Sequence, residues 1–237
     1  TPEPFYTFNV TMGFCSVLQL KQKAKEYGVS ITEYLTAVLM KVILDKQHRE
    51  APGRELPVAL AIPINLRAWF PSETLRNFIL TARPVIDPSL GEYTFEEVLH
   101  QVHHMLRLNM DRHKMRAELT GNVRFTKNRL LQIVPIILKN PVMALGYRVA
   151  GVRPYSGTYT NPGAFVVPPE MAPHIRRMEV ILGQATIPRV HCASISYGDI
   201  MEITFAGTQQ ETDTERDFFR FLIRDGIAVK VESNRTQ

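Results

Sequence analysis

Hydrophobic and polar positions along this chain switch between a period near two and a period near 3.6, and the switches mark its elements. Residues 5–14, Phe-Tyr-Thr-Phe-Asn-Val-Thr-Met-Gly-Phe, are β-branched and aromatic with partial alternation, which predicts a strand. Ser16 with Gln19 is a capping-box pattern and opens a helix that ends near Tyr27-Gly28. Ser30 with Glu33 repeats the signature before a second helix, Ile31 to about His48. Its apolar positions Tyr34, Val38, Val42 and Ile43 keep a helical period, which predicts one buried face. Pro52 and Gly53 end it.

Leu56 to Leu66 is a nearly continuous apolar run and reads as a mostly buried strand despite Pro57 and Pro63. After a turn-rich loop, Trp69 to Thr74, the stretch from Phe78 to Ile86 predicts another strand. Thr94 and Glu97 cap a long helix reaching about Leu119. A further helical region covers Thr126 to Val149, where Pro135 and Pro141 predict a kink or a division. In the last third, strands are expected around Tyr155 to Val167, Arg189 to Tyr197 and Ile200 to Phe205, with a hairpin turn at Ser196-Tyr-Gly-Asp199. Thr212 and Glu215 cap a helix ending near Asp225-Gly226, and Ile227 to Val231 suggests a short edge strand. The pattern predicts an α/β two-layer sandwich, a mixed sheet covered by helices.

Composition changes this picture little. At 237 residues and 45% apolar, the chain can bury a substantial core in one or two domains and is too apolar for disorder. Lys and Arg number 28 against 23 Asp and Glu, a net charge of +5 with both signs interspersed. That suits an anionic, phosphate-bearing ligand but is not a nucleic-acid footprint. The basic residues of the Arg124–Arg129 stretch, and Arg176-Arg177, lack an aromatic reading surface and read as solvated faces. Cys15 and Cys192 lie in apolar sequence and read as reduced core thiols. Thr1 to Pro4 has no secretory character, and Leu130 to Leu145 is too short and too interrupted to span a bilayer, so a cytoplasmic location is expected.

The chemistry-bearing motifs are mostly negative. His100 and His104 share a helical face, but no Glu follows His100 and no acidic cluster completes a site, so no metal is expected. There is no glycine-rich phosphate loop and no Gly-x-Ser-x-Gly elbow.

Several segments, in order, resemble the second half of the chloramphenicol acetyltransferase, condensation-domain and alcohol acyltransferase superfamily. They are the opening strand with the Gly28–Ala37 helix start, Ile62-Pro-Ile-Asn-Leu-Arg67, Leu75-Arg-Asn-Phe78, Tyr159-Thr-Asn-Pro-Gly163, and the Ser196–Ile203 hairpin. The resemblance implies residues 1–237 as a single C-terminal lobe, with the N-terminal lobe absent from this chain and supplying a His-His-x-x-x-Asp motif. The second histidine of that motif would act as general base on an alcohol or amine acceptor. The acceptor then attacks an acyl thioester of coenzyme A or of a phosphopantetheinyl carrier protein.

Within this lobe the resemblance marks Arg67 as a lobe-organising residue that meets the aspartate of the histidine motif. It marks Asn77 and Phe78 as a channel floor, and Thr160 and Asn161 as channel-facing polar groups able to donate to an oxyanion; a strand-end surface arginine at Arg67 and an ordinary turn marked by Pro162-Gly163 are the alternatives. For Tyr159, contact with an acyl chain or acceptor and simple core packing both stay open. Asn65 is assigned a turn-capping role, and Ser196 and Tyr197 are weaker candidates. His103-His104 departs from the pattern, being followed by Met105, Leu106, Arg107 and Leu108 with no aspartate, so the isolated chain is expected to be catalytically silent. A noncatalytic binding or assembly module with the same fold, or a globular protein without an acyl ligand, are the competing expectations. An isolated lobe would expose the surface meant for its partner, which favours homo-oligomers.

Overall fold

Gly13 shows how the two sides of the sheet are used. The structure, a computed structural model, describes residues 7–128, 133, 135–146, 155–183 and 190–235. In strand β1 (Asn9–Ser16) a Cβ on Gly13 would lie 2.2 Å from the Phe219 ring, so only glycine lets that ring lie on the strand. Phe219 belongs to the helix Asp213–Arg224, and side chains alternate along a strand, so Thr11, Gly13 and Cys15 all face the helical layer. The register carries this assignment across the sheet through β7 (Ile200–Gly207), β6 (Val190–Tyr197), β5 (Gly157–Thr160) and β2 (Val58–Asn65).

The eight-stranded sheet runs β3-β2-β5-β6-β7-β1-β8, where β3 is Ile79–Ala82 and β8 is Lys230–Ser233, while β4 (Val85–Ile86) also pairs with β2. The β2–β5 and β5–β6 pairs are parallel and the others antiparallel, the mixed sheet expected. The predicted strand 78–86 is divided at Arg83-Pro84. Both parts keep one register against β2, with Ile62 opposite Ala82 and Val58 opposite Ile86. Pro84 has no N–H to offer, yet its carbonyl accepts from Leu60 N at 3.2 Å, an arrangement that suits an edge strand.

Helices α1 (Val17–Glu26), α2 (Ile31–Glu50), α3 (Phe95–Asn109) and α6 (Asp213–Arg224) pack over one face. The Ser30/Glu33 and Thr94/Glu97 capping boxes form with both reciprocal bonds. Ser16 accepts from Gln19 N, whereas the Gln19 side chain turns away to accept from Ala228 N. Thr212 makes no capping bond, its ψ of 7° lying outside the extended region a cap adopts, and the Glu215 side chain is engaged by Thr11 and Arg235. The long helix expected from Thr94 to Leu119 breaks after Asn109. Asp111 Oδ1 accepts from Lys114 N and starts α4 (Arg112–Thr126) as a separate helix. The region 126–149 yields α5 (Ile136–Gly146), which runs through Pro141; residues 129–132, 134 and 147–149 lie outside the described residues.

Helix α2 is buried on more than the one predicted face. Leu35, Ala37, Leu39, Met40 and Leu44 are buried along with Tyr34, Val38, Val42 and Ile43, since α2 lies between β2 and the neighbours α1, α3 and α6. Tyr34 forms an aromatic cluster with Tyr27 and Phe95, and Phe205 forms another with Phe218 and Phe219. Burying each such ring contributes about 2–3 kcal/mol. Residues 161–183 cross the opposite face of the sheet. They are held by an Ala164–Ser196 bridge, by Val180 N donating to Glu202 Oε2 at 3.3 Å, and by Arg177 standing 4.4 Å from the Phe14 ring centroid. Among the described residues no single helix is long and apolar enough to cross a membrane.

Candidate functional site

Because β2, β5 and β6 are parallel, their carboxyl ends lie at one end of the sheet, the position where open α/β sheets build ligand sites. Asn65 and Arg67 follow β2, Thr160 and Asn161 end β5, and Ser196 and Tyr197 end β6. The pairing Thr160–Ala193 is followed by Ala164–Ser196, so three residues of one chain segment oppose two of the other. This one-residue bulge holds Asn161-Pro162-Gly163. Asn161 Oδ1 accepts from Gly163 N at 2.9 Å, and Gly163 takes φ 90°, a left-handed conformation that glycine adopts without strain. The other end of the same amide donates to Thr32 Oγ1 in the first turn of α2 at 3.1 Å.

Tyr159 is fully buried in the helix-covered core, its hydroxyl 2.8 Å from Ser194 Oγ, so of its two readings the packing one describes its place. Burial pushes its phenol far up. Thr160 points to the opposite face by strand alternation and is half-buried. Ser196 is buried, and its backbone carries the bridge to Gly163 and Phe165.

Arg67 lies in a 3-10 turn, Leu66–Ala68, in which Asn65 Oδ1 accepts from Arg67 N. Its Nη2 donates to the carbonyls of Thr74 and Arg76 at 2.7 and 2.8 Å, and Leu66 N donates to Phe78 O. The guanidinium therefore clasps the 69–78 loop and meets no carboxylate among the described residues. Asn77 is exposed on that loop, while Phe78 is half-buried against the core.

The histidines gather elsewhere, on α3. His103 Nδ1 lies 3.2 Å and Arg107 Nε 3.4 Å from Glu33 Oε1, whose side chain is only 2% exposed. Burial works to raise the Glu33 carboxyl. The Ser30 N–H and hydroxyl, with the charges of His103 and Arg107, outweigh it and hold the group below the usual carboxylate value. His100 and His104 bring their Nε2 atoms to 2.9 Å beside an open hollow of about 380 Å3. No group of three metal-ligating side chains occurs among the described residues.

Glu202 escaped the sequence reading. It sits on β7, wholly buried, on the same sheet face as Thr160. Thr204, on the same strand, faces Thr160 across Ala193. Glu202 Oε1 and Thr204 Oγ1 have no hydrogen-bond partner among the described residues. Burial pushes the Glu202 carboxyl up to about 7, with Val180 N–H working against it. The signal was present as a lone acid inside the apolar run Ile200-Met-Glu-Ile-Thr-Phe205. Cys15 and Cys192 are buried and unbridged, and burial pushes the Cys15 thiol up to about 12, so neither is a ready nucleophile.

No protein-family model matches the sequence, and no curated protein matches it. Solved structures do. Over 94% of its length the chain superposes on a trichothecene 15-O-acetyltransferase from Fusarium sporotrichioides with a TM-score of 0.60 and 11% identity, covering 47% of that chain. A nonribosomal peptide synthetase matches over 95% of the chain with a TM-score of 0.59 and 14% identity, and 23% of that protein is covered. A wax ester synthase/diacylglycerol acyltransferase from Marinobacter aquaeolei matches over 92% at 0.51 and 12%, with 49% covered. The chain thus shares the fold of the matching parts of these structures, a mixed sheet covered by helices, and it spans half or less of each of them.

Proposed function

We propose that this chain is one lobe of a two-lobed acyltransferase that moves an acyl group from a coenzyme A or carrier-protein thioester to an alcohol or amine. The observation that carries the reading is the bulge at the carboxyl end of β5. It places Thr160 and Asn161 at the same sheet end as the Arg67-clasped loop, in a lobe that matches half of an acetyltransferase. In the proposed reaction the acceptor oxygen or nitrogen adds to the thioester carbonyl, and a histidine of the other lobe takes its proton. The tetrahedral oxyanion then collapses and expels the thiolate, which leaves with a proton.

Both ends of the Asn161 amide are engaged, so Asn161 positions the bulge and Thr160 is the hydroxyl offered to the oxyanion. Arg67 orders the channel floor through Thr74 and Arg76. His103 lies within the helical layer beside buried Glu33, away from the sheet end that carries Thr160, which supports placing the general base outside this lobe.

The test is thiol release from acetyl-coenzyme A by the full-length protein with a panel of alcohols and amines, for wild type, Thr160→Ala and Arg67→Ala. Thr160→Ala is expected to lower kcat about 100-fold, as loss of one oxyanion donor does, with the melting temperature unchanged. Unchanged turnover in both variants sinks the site. Thioester binding without turnover in the wild type turns the reading to a noncatalytic module.

A further inference from the structure

The net charge of the chain is concentrated in one region. Residues 111–154 hold nine Lys and Arg against two Asp and Glu, a net +7, while the whole chain carries only +5. The evenly mixed surface read from composition is therefore an average over one cationic region and a slightly acidic remainder. Helix α4 is seated by Met115, which is 1% exposed, and by partly buried Leu119. Its Arg112, Lys114, Arg116 and Arg124 are exposed, as is Lys127 just beyond it.

Helix α5 follows and has the opposite character. Ile136, Ile137, Leu138, Val142, Met143 and Leu145 are all exposed, Ile137 by 84%, and no residue of the helix is buried. An 11-residue helix is far too short to span a bilayer. Apolar side chains in this number do not stay in water without a cover. We propose that α4 and α5 form a docking element for an anionic lipid surface, with α5 lying in the headgroup boundary and the α4 cations facing the lipid phosphates. Charge selects this occupant. A cationic stretch joined to a bare apolar helix complements acidic headgroups above acyl chains, whereas a second copy docking through this same element would set one cationic stretch against another. The inference uses none of the residues of the proposed acyltransfer site.

Co-sedimentation of the full-length protein with phosphatidylcholine vesicles, with and without phosphatidylglycerol, tests it. Binding is expected only with phosphatidylglycerol and is expected to fall steeply with salt. Arg124→Ala with Lys127→Ala should weaken it about 25-fold. Ile137→Glu with Val142→Glu should weaken it at least about tenfold while the melting temperature holds, since all four side chains are exposed. Three results overturn the proposal. They are no binding to either vesicle, vesicle binding insensitive to the α5 substitutions, and self-association that those substitutions abolish while vesicles are ignored.

Discussion

Asn161 donates its side-chain amide to the hydroxyl of Thr32, and this one contact joins the carboxyl end of β5 to the first turn of α2. Residue 161 thereby couples the bulge at the candidate site to the most deeply buried helix of the fold. Asn161→Ala and Thr32→Val are each expected to cost about 1 kcal/mol in urea unfolding, and the double-mutant cycle should return a coupling of about 0.5–1.5 kcal/mol. Strict additivity would show that the bond contributes nothing.

Glu202 sets a pH dependence with a definite sign. Its folded pKa, about 7, lies above the usual carboxylate value of 4.5, so the folded state holds the extra proton in between. Its contribution is complete below about pH 4.5 and is lost as pH rises through about 7. Glu202→Gln should remove that slope and raise stability above the window by up to about 3 kcal/mol. Thermal melting across the window for both proteins checks this, and parallel curves would contradict it.

Glu33 acts in the opposite sense. Its carboxyl is held low by Ser30, His103 and Arg107, so its stabilisation is present above the usual carboxylate value and is lost as pH falls through its depressed folded one. Glu33→Ala removes the acceptor of the capping box and the carboxylate beside His103 and Arg107, and is expected to cost about 1–3 kcal/mol near neutrality. Urea unfolding at two pH values should show that cost shrinking in acid.

Gly13→Ala should be destabilising by about 1–3 kcal/mol, because the methyl would enter the Phe219 ring. In a Phe219→Leu background the same change should cost markedly less. An equal cost in both backgrounds would place the strain somewhere other than this contact.

Much of the helical layer was legible because helix starts are written locally. Ser30/Glu33 and Thr94/Glu97 place the first turns of α2 and α3 from four residues each. The hairpin at Gly198, with φ 59°, was equally local. Legibility failed where distant partners compete. The Glu215 side chain is engaged by Arg235 and Thr11 rather than by Thr212, and α2 gains buried faces from helices far away in sequence. Asp111 is a cap residue, but the apolar period runs on past it and predicts an unbroken helix. The edge strand expected at Ile227–Val231 pairs instead as Lys230–Ser233, its register set by β1. At the candidate site, Thr160 and Asn161 were marked by their motif. The proposed division of labour between them depends on a bulge created by the pairing of β5 with β6, which no local pattern encodes.

Strand β1 carries a consequence for the order of assembly. It lies between β7 and β8, whose residues follow it by about 180 positions or more, so it is synthesised well before either partner. Until the ribosome has released that distant stretch, β1 waits without its sheet neighbours, and α2 without α6. Closing so long a loop is slow, and the nascent chain is exposed to chaperones and to misassociation throughout.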